Sequence, residues 1–113
     1  MNLYTFDKTY SKNSADEVRI ILDDGKKSTP IRIKIYVISD FVYADIMQDD
    51  GTPLLTGHLI RAFNDILDFV HSRNFNFPQA GVVALPLSVN SFNLEFNFEN
   101  AGKDMDLMVI DYE

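Results

Sequence analysis

Cysteine is absent from all 113 residues, which excludes disulfide frameworks, thiolate nucleophiles and thiolate metal sites together. Long apolar runs are missing too: no stretch approaches the ~20 residues that cross a bilayer as a helix. The first segment, MNLYTFDKTYSKNSADE, has no basic region leading into an apolar one. A chain made in the cytoplasm with no membrane anchor is therefore expected. Basic residues are scarce as well. Ten Lys and Arg stand against 17 Asp and Glu, a net charge of −7, and from residue 57 onward the count is three against eight. A surface of that sign repels a phosphate backbone, so nucleic acid is not an expected partner. Lys26, Lys27, Arg32 and Lys34 form the only basic cluster, and their strand-like spacing reads as a solvated face.

Catalytic signatures are equally sparse. There is no Gly-rich phosphate loop, no Gly-x-Ser-x-Gly elbow and no supported Ser/His/Asp arrangement. His58 and His71 lie thirteen residues apart, which is neither a metal-pair spacing nor an HExxH frame, so both read as surface residues. Asp45, Asp49 and Asp50 before Gly51 superficially suggest a calcium loop. The alternate oxygen ligands, the sixth-position Gly and the twelfth-position Glu of an EF-hand are not filled, and a turn is the better reading. Glu95 and Glu99 on one predicted strand face Asp104 and Asp106 on the next, but without a cleft or a partnered base they read as a solvated acidic face. No enzyme, catalytic residue, metal site or cofactor is expected.

What the chain does contain is alternation. Hydrophobic residues make up 46% of it and charged residues 24%, ordinary globular usage for one domain spanning residues 1–113. Val18, Ile20 and Leu22 share a face before the turn Asp23-Asp24-Gly25. Ile31, Ile33, Ile35 and Val37 alternate with Arg32, Lys34 and Tyr36. Ser39-Asp40 should turn that strand back through Phe41 to Met47, and Gln48 to Gly51 should form the next turn. Leu59, Ile60, Phe63, Ile66, Leu67 and Val70 recur at helical spacing, which predicts a helix over 59–72, with Thr56 or Gly57 as its start and Asn74 as its stop. Beyond the loop at 75–78, residues 81–87 form a short apolar run limited by Pro86. Phe92, Leu94, Phe96 and Phe98 alternate with Asn93, Glu95, Asn97 and Glu99, the strongest strand signal in the chain. With Met105, Leu107 and Val109 they predict a hairpin over 91–111.

The expected fold is mainly β, a small antiparallel β-barrel or rolled sheet of six to seven strands with one short helix. Residues 1–16 are expected to form an N-terminal arm carrying a short strand at 2–6. Leu3, Tyr4 and Phe6 there are candidate interaction residues, because three large apolar groups in a polar terminus need a surface to cover them.

One further pattern stands out. The succession YADIMQDDGTPLLTG, HLIRAFNDIL and FPQAGVVAL resembles the small baseplate plug proteins of contractile-tailed phages. The matching positions are Asp50, Gly51, Pro53, Leu54 and Gly57, then Asp65 and Leu67, then Gly81, Val82 and Val83, within residues 30–87. The resemblance implies a structural subunit of a multi-subunit assembly, located in the virion's tail baseplate and made in the host cytoplasm. Its partners would be hub, spike or tail-tube subunits, with no cofactor. It also implies extended chain where the spacing here predicts the helix. The alternative from another class is a small acidic inhibitor or immunity-type protein that blocks a basic protein partner by charge, for which the −7 balance is the feature.

Overall fold

The alternating segments become strands where turn chemistry lets them reverse. In the computed structural model, which describes residues 2–73 and 77–111, β2 (Asp16–Asp23), β3 (Ser28–Ile38), β4 (Phe41–Gln48) and β5 (Pro53–Leu59) form an antiparallel meander in that order. Ser39 and Asp40 both take positive φ, 48° and 72°, as the tight β3–β4 turn requires. Gly51 does so at 92° in the β4–β5 turn. A second sheet, ordered β1-β7-β6, joins β1 (Asn2–Thr5), β7 (Met105–Asp111) and β6 (Gly81–Pro86), again antiparallel. The two sheets stay open rather than closing into a barrel. The mainly β class and the seven strands agree with the sequence reading.

One apolar cluster joins both sheets. Leu22, Ile33 and Ile46 from the first sheet and Val82, Leu107 and Val109 from the second belong to it, all fully buried. The exposed face of the four-stranded sheet carries the polar half of the alternation, including Arg32 and Lys34. There Asp45 accepts hydrogen bonds from the Tyr36 hydroxyl (2.9 Å) and the Gly57 N–H (2.7 Å), which ties irregular β5 to the regular strands. Partial burial, with the Asp45 carboxylate beside it, pushes the Tyr36 phenol up to about 12.

Two expectations are corrected. The helix predicted over 59–72 is replaced by strand β5 up to Leu59, then an irregular run, and a single helical turn, α1 (Asp68–His71). The proposed start at Thr56 or Gly57 falls inside β5, and the proposed stop at Asn74 lies outside the described residues. The helical spacing of apolar residues is met in another way. Ile60, Ile66 and Leu67 are buried because the chain crosses the outer edge of β6, where Phe63 N–H donates to Ala84 C=O and Ile66 N–H to Val82 C=O, both at 2.9 Å.

The hairpin over 91–111 is corrected too. A 3-10 turn at Val89–Ser91 leads into residues that form no strand, and β7 pairs with β1 and β6 instead. Local side chains offer the backbone a better arrangement there. Asn97 N–H donates to the Asn100 side-chain oxygen and Asn100 N–H to that of Asn97, both at 3.1 Å, while the Asn100 amide donates to Glu95 C=O. The alternating aromatics are thereby separated: Phe96 is buried, and Phe92 and Leu94 are exposed.

Candidate docking surface

The crossing segment at 61–67 builds the most unusual surface of the molecule. Phe63 adopts φ 66°, a left-handed conformation that costs a bulky L-residue about 1–2 kcal/mol. Its N–H bond to Ala84 holds the backbone there, and the ring projects outward with half its surface in solvent. Phe92, equally exposed, stacks on it with ring centroids 6.1 Å apart and planes 4° apart. A hollow of about 370 Å³ beside the segment is lined by Phe41, Ile60, Ala62 and Leu94, with Arg61 and Asn64 at its side. On the segment's other side a groove of about 800 Å³ runs past His58, Leu59, Phe63 and Phe69. Both hollows share Arg61 and Asn64, so the ridge at 61–64 stands between them. Exposed aromatic and aliphatic groups are thus gathered around two depressions, the larger of which also has Arg61, Asp65 and Asp68 in its lining.

Asp65 clamps this ridge to the second sheet. One of its carboxylate oxygens accepts the N–H groups of Leu67 and Val82, both at 2.9 Å. The other carboxylate oxygen lies 2.9 Å from where a Cβ on residue 81 would sit, so any larger residue there would push against the clamp. Burial raises the Asp65 carboxyl above its ordinary value of 3.8, against the lowering effect of the two N–H donors. A raised folded-state value means that ionisation opposes folding: this carboxyl's contribution is greatest below 3.8 and diminishes as pH rises through the raised value. Asp65→Asn keeps an accepting oxygen without the charge, so its melting temperature should gain on that of the wild type as pH rises through this window. Asp65→Ala, which leaves two N–H groups without an acceptor, should lose ~2 kcal/mol or more in denaturant melts at any pH.

Asp65, Asp68 and His71 bring one donor atom each within 4.8 Å of one another, the one such group among the described residues. Two of the three already serve the fold. Asp65 holds the crossing segment, and His71 Nε2 donates to Pro78 C=O at 2.7 Å, since a carbonyl can only accept. His58 lies against Phe69 with centroids 5.0 Å apart, and burial lowers its pKa.

The acidic residues weighed on the sequence do not converge. Glu95 and Glu99 lie in the irregular segment rather than on a strand, and Asp106 is engaged with Lys8 and Tyr10. The three apolar residues of the N-terminus have different fates. Leu3 is exposed on edge strand β1, Tyr4 is half-buried against the core, and Phe6 belongs to the core itself. The Phe63 ridge is masked in the sequence because its residues match a helical period. Asn64-Asp65, a pair that favours turns, was the available cue.

The fold and this surface define a small mainly β protein with stacked aromatic rings exposed on one face. Compared with family models, curated proteins and solved structures, the chain matches none of them. No helix among the described residues is long and apolar enough to cross a membrane.

Proposed function

We propose that this protein is a non-enzymatic structural subunit that docks onto other proteins in a multi-subunit assembly, and that the assembly is a contractile phage tail baseplate. The observation that carries the docking role is the Phe63–Phe92 pair, exposed on a backbone conformation that the rest of the fold holds in place against its own preference. Folding alone does not call for a half-exposed phenylalanine in the left-handed region. The baseplate rests on the resemblance over residues 30–87. Its Asp50, Gly51 and Gly57 form the turn and the bend of β5, and its Asp65 and Gly81 meet at the clamp beneath the ridge.

Co-expression with hub, spike and tail-tube subunits of a contractile tail tests the reading. Co-purification with at least one of them, persisting in high salt, is the expected result, because burial of apolar groups dominates such a contact. A complex with a basic enzyme or toxin that dissolves steeply with salt would favour the acidic-inhibitor alternative, which the −7 charge supports.

A further inference from the structure

Three of the four outer strand edges carry a device that discourages pairing. The outer edge of β6 is covered by the crossing segment, β5 contains Pro53, Gly57 and two irregularities of register, and β1 is only four residues long. The fourth, β2, is neither covered, broken nor short, and only the opposite charges of Glu17 and Arg19 mark its edge. It runs for eight residues, Asp16–Asp23, with no proline, glycine or bulge, in unbroken register with β3.

The direction of its backbone groups follows from the hairpin. Asp24 N–H donates to Lys27 C=O, so Asp24 and Lys27 form a hydrogen-bonded pair, and antiparallel pairs alternate from there. Leu22, Ile20 and Val18 therefore bond to β3, while Ile21, Arg19 and Glu17 turn their N–H and C=O groups outward. Pro30, which has no N–H, sits opposite Ile21 in a pair that needs none, as this alternation demands. Among the described residues no backbone hydrogen bond reaches the outward groups of Glu17, Arg19 or Ile21.

We propose that this edge pairs with the same edge of a second copy of the chain, antiparallel about a two-fold axis at Val18, so that two four-stranded sheets become one of eight. The side-chain pattern selects that axis. Residues directly opposite must share a face, so only a residue can sit on the axis, and each choice gives a different pairing. An axis at Arg19 sets Arg19 against Arg19, whereas an axis at Val18 sets Glu17 against Arg19 twice. It also brings the half-exposed Ile21 opposite the exposed Ala15 of the other copy. Within one chain Arg19 already pairs with Asp49 at 2.8 Å, and Arg32 lies 3.6 Å from Asp49 and 4.0 Å from Glu17. The two new pairs join these ladders across the axis. This inference is independent of the Phe63 ridge, which lies on another element.

Sedimentation velocity of the full chain across concentrations up to about 1 mM tests it, because a small edge interface gives a modest Kd. The wild type should dimerise. Glu17→Arg alone and Arg19→Glu alone each set like charges opposite twice and should weaken the dimer ~10-fold or more. An equimolar mixture of the two variants should recover a heterodimer, since every opposed pair in it is again Arg with Glu. Circular dichroism melts of each variant check that it folds, and recovery on mixing requires folded chains. A wild type that stays monomeric throughout would overturn the proposal in favour of a foreign strand at this edge. Dimers indifferent to both reversals, or reversals without recovery on mixing, would overturn it as well.

Discussion

Replacing Asp106 by alanine should lower stability by about 3–5 kcal/mol, the largest single-site loss expected in this chain, because it strands a buried ammonium. Lys8 keeps only 3% of its side chain in solvent, and its Nζ lies 2.7 Å from the Asp106 carboxylate. The two remaining N–H groups face the carbonyls of Phe6 and Leu107, each at 3.4 Å, so the cation's donors are matched by three acceptors. The ammonium also lies 4.7 Å from the Phe6 ring centroid and 5.4 Å from that of Tyr10. The Tyr10 hydroxyl donates to Asp106 at 2.8 Å, and burial, then the nearby negative charge, drives the phenol far above its ordinary range. The Tyr10 ring meets Phe96 edge-on at 5.9 Å. Lys8→Met together with Asp106→Leu, which removes both charges and keeps the volume, should recover most of the loss. Urea melts of the single and double variants measure the difference. If Asp106→Ala melts with the wild type, the buried cation is not held as described.

The consequence reaches the N-terminus. Phe6, Lys8 and Tyr10 fasten the first ten residues to β7 and the core, so removing residues 1–10 should unfold the protein rather than merely free a docking arm. Of the three apolar residues of that segment, Leu3 is exposed on β1, Tyr4 is half-buried and Phe6 lies in the core.

The second large effect concerns function rather than folding. If the proposed docking role holds, Phe63→Gly should reduce affinity for the partner bound there ~30-fold or more, the loss expected when a central aromatic anchor is removed. It should leave stability unchanged or slightly raised, because glycine adopts φ 66° without penalty and that relief offsets the lost stack on Phe92. Phe63→Ala should bind as poorly yet be less stable than Phe63→Gly by about 1 kcal/mol, since alanine keeps the steric conflict and loses the ring.

Strands were legible in the sequence wherever alternation met turn residues. Ile31 to Val37 with Ser39-Asp40, and Val42 to Ile46 with Gly51, specify both face and reversal locally, and the structure follows them. Period alone misled in two places. The apolar spacing from Leu59 to Val70 has a helical look, but burial at Ile60, Ile66 and Leu67 arises from crossing β6, a contact between segments about twenty residues apart. The alternation from Phe92 to Phe98 is undone by Asn97 and Asn100, whose side chains bond to nearby backbone and displace a ladder. The exposed Phe63 ridge was hidden for the same reason. A left-handed phenylalanine is held by bonds that reach across the sequence, from Phe63 N–H to Ala84 C=O and from Val82 N–H to the Asp65 carboxylate.

Thermal melts and co-purification with hub, spike and tail-tube subunits, both on Phe63→Gly, test most directly whether the ridge exists for contact. Unchanged or raised melting temperature with loss of the complex is the predicted pair of results. A lowered melting temperature with the complex intact would contradict it, and would make Phe63 a residue of the fold.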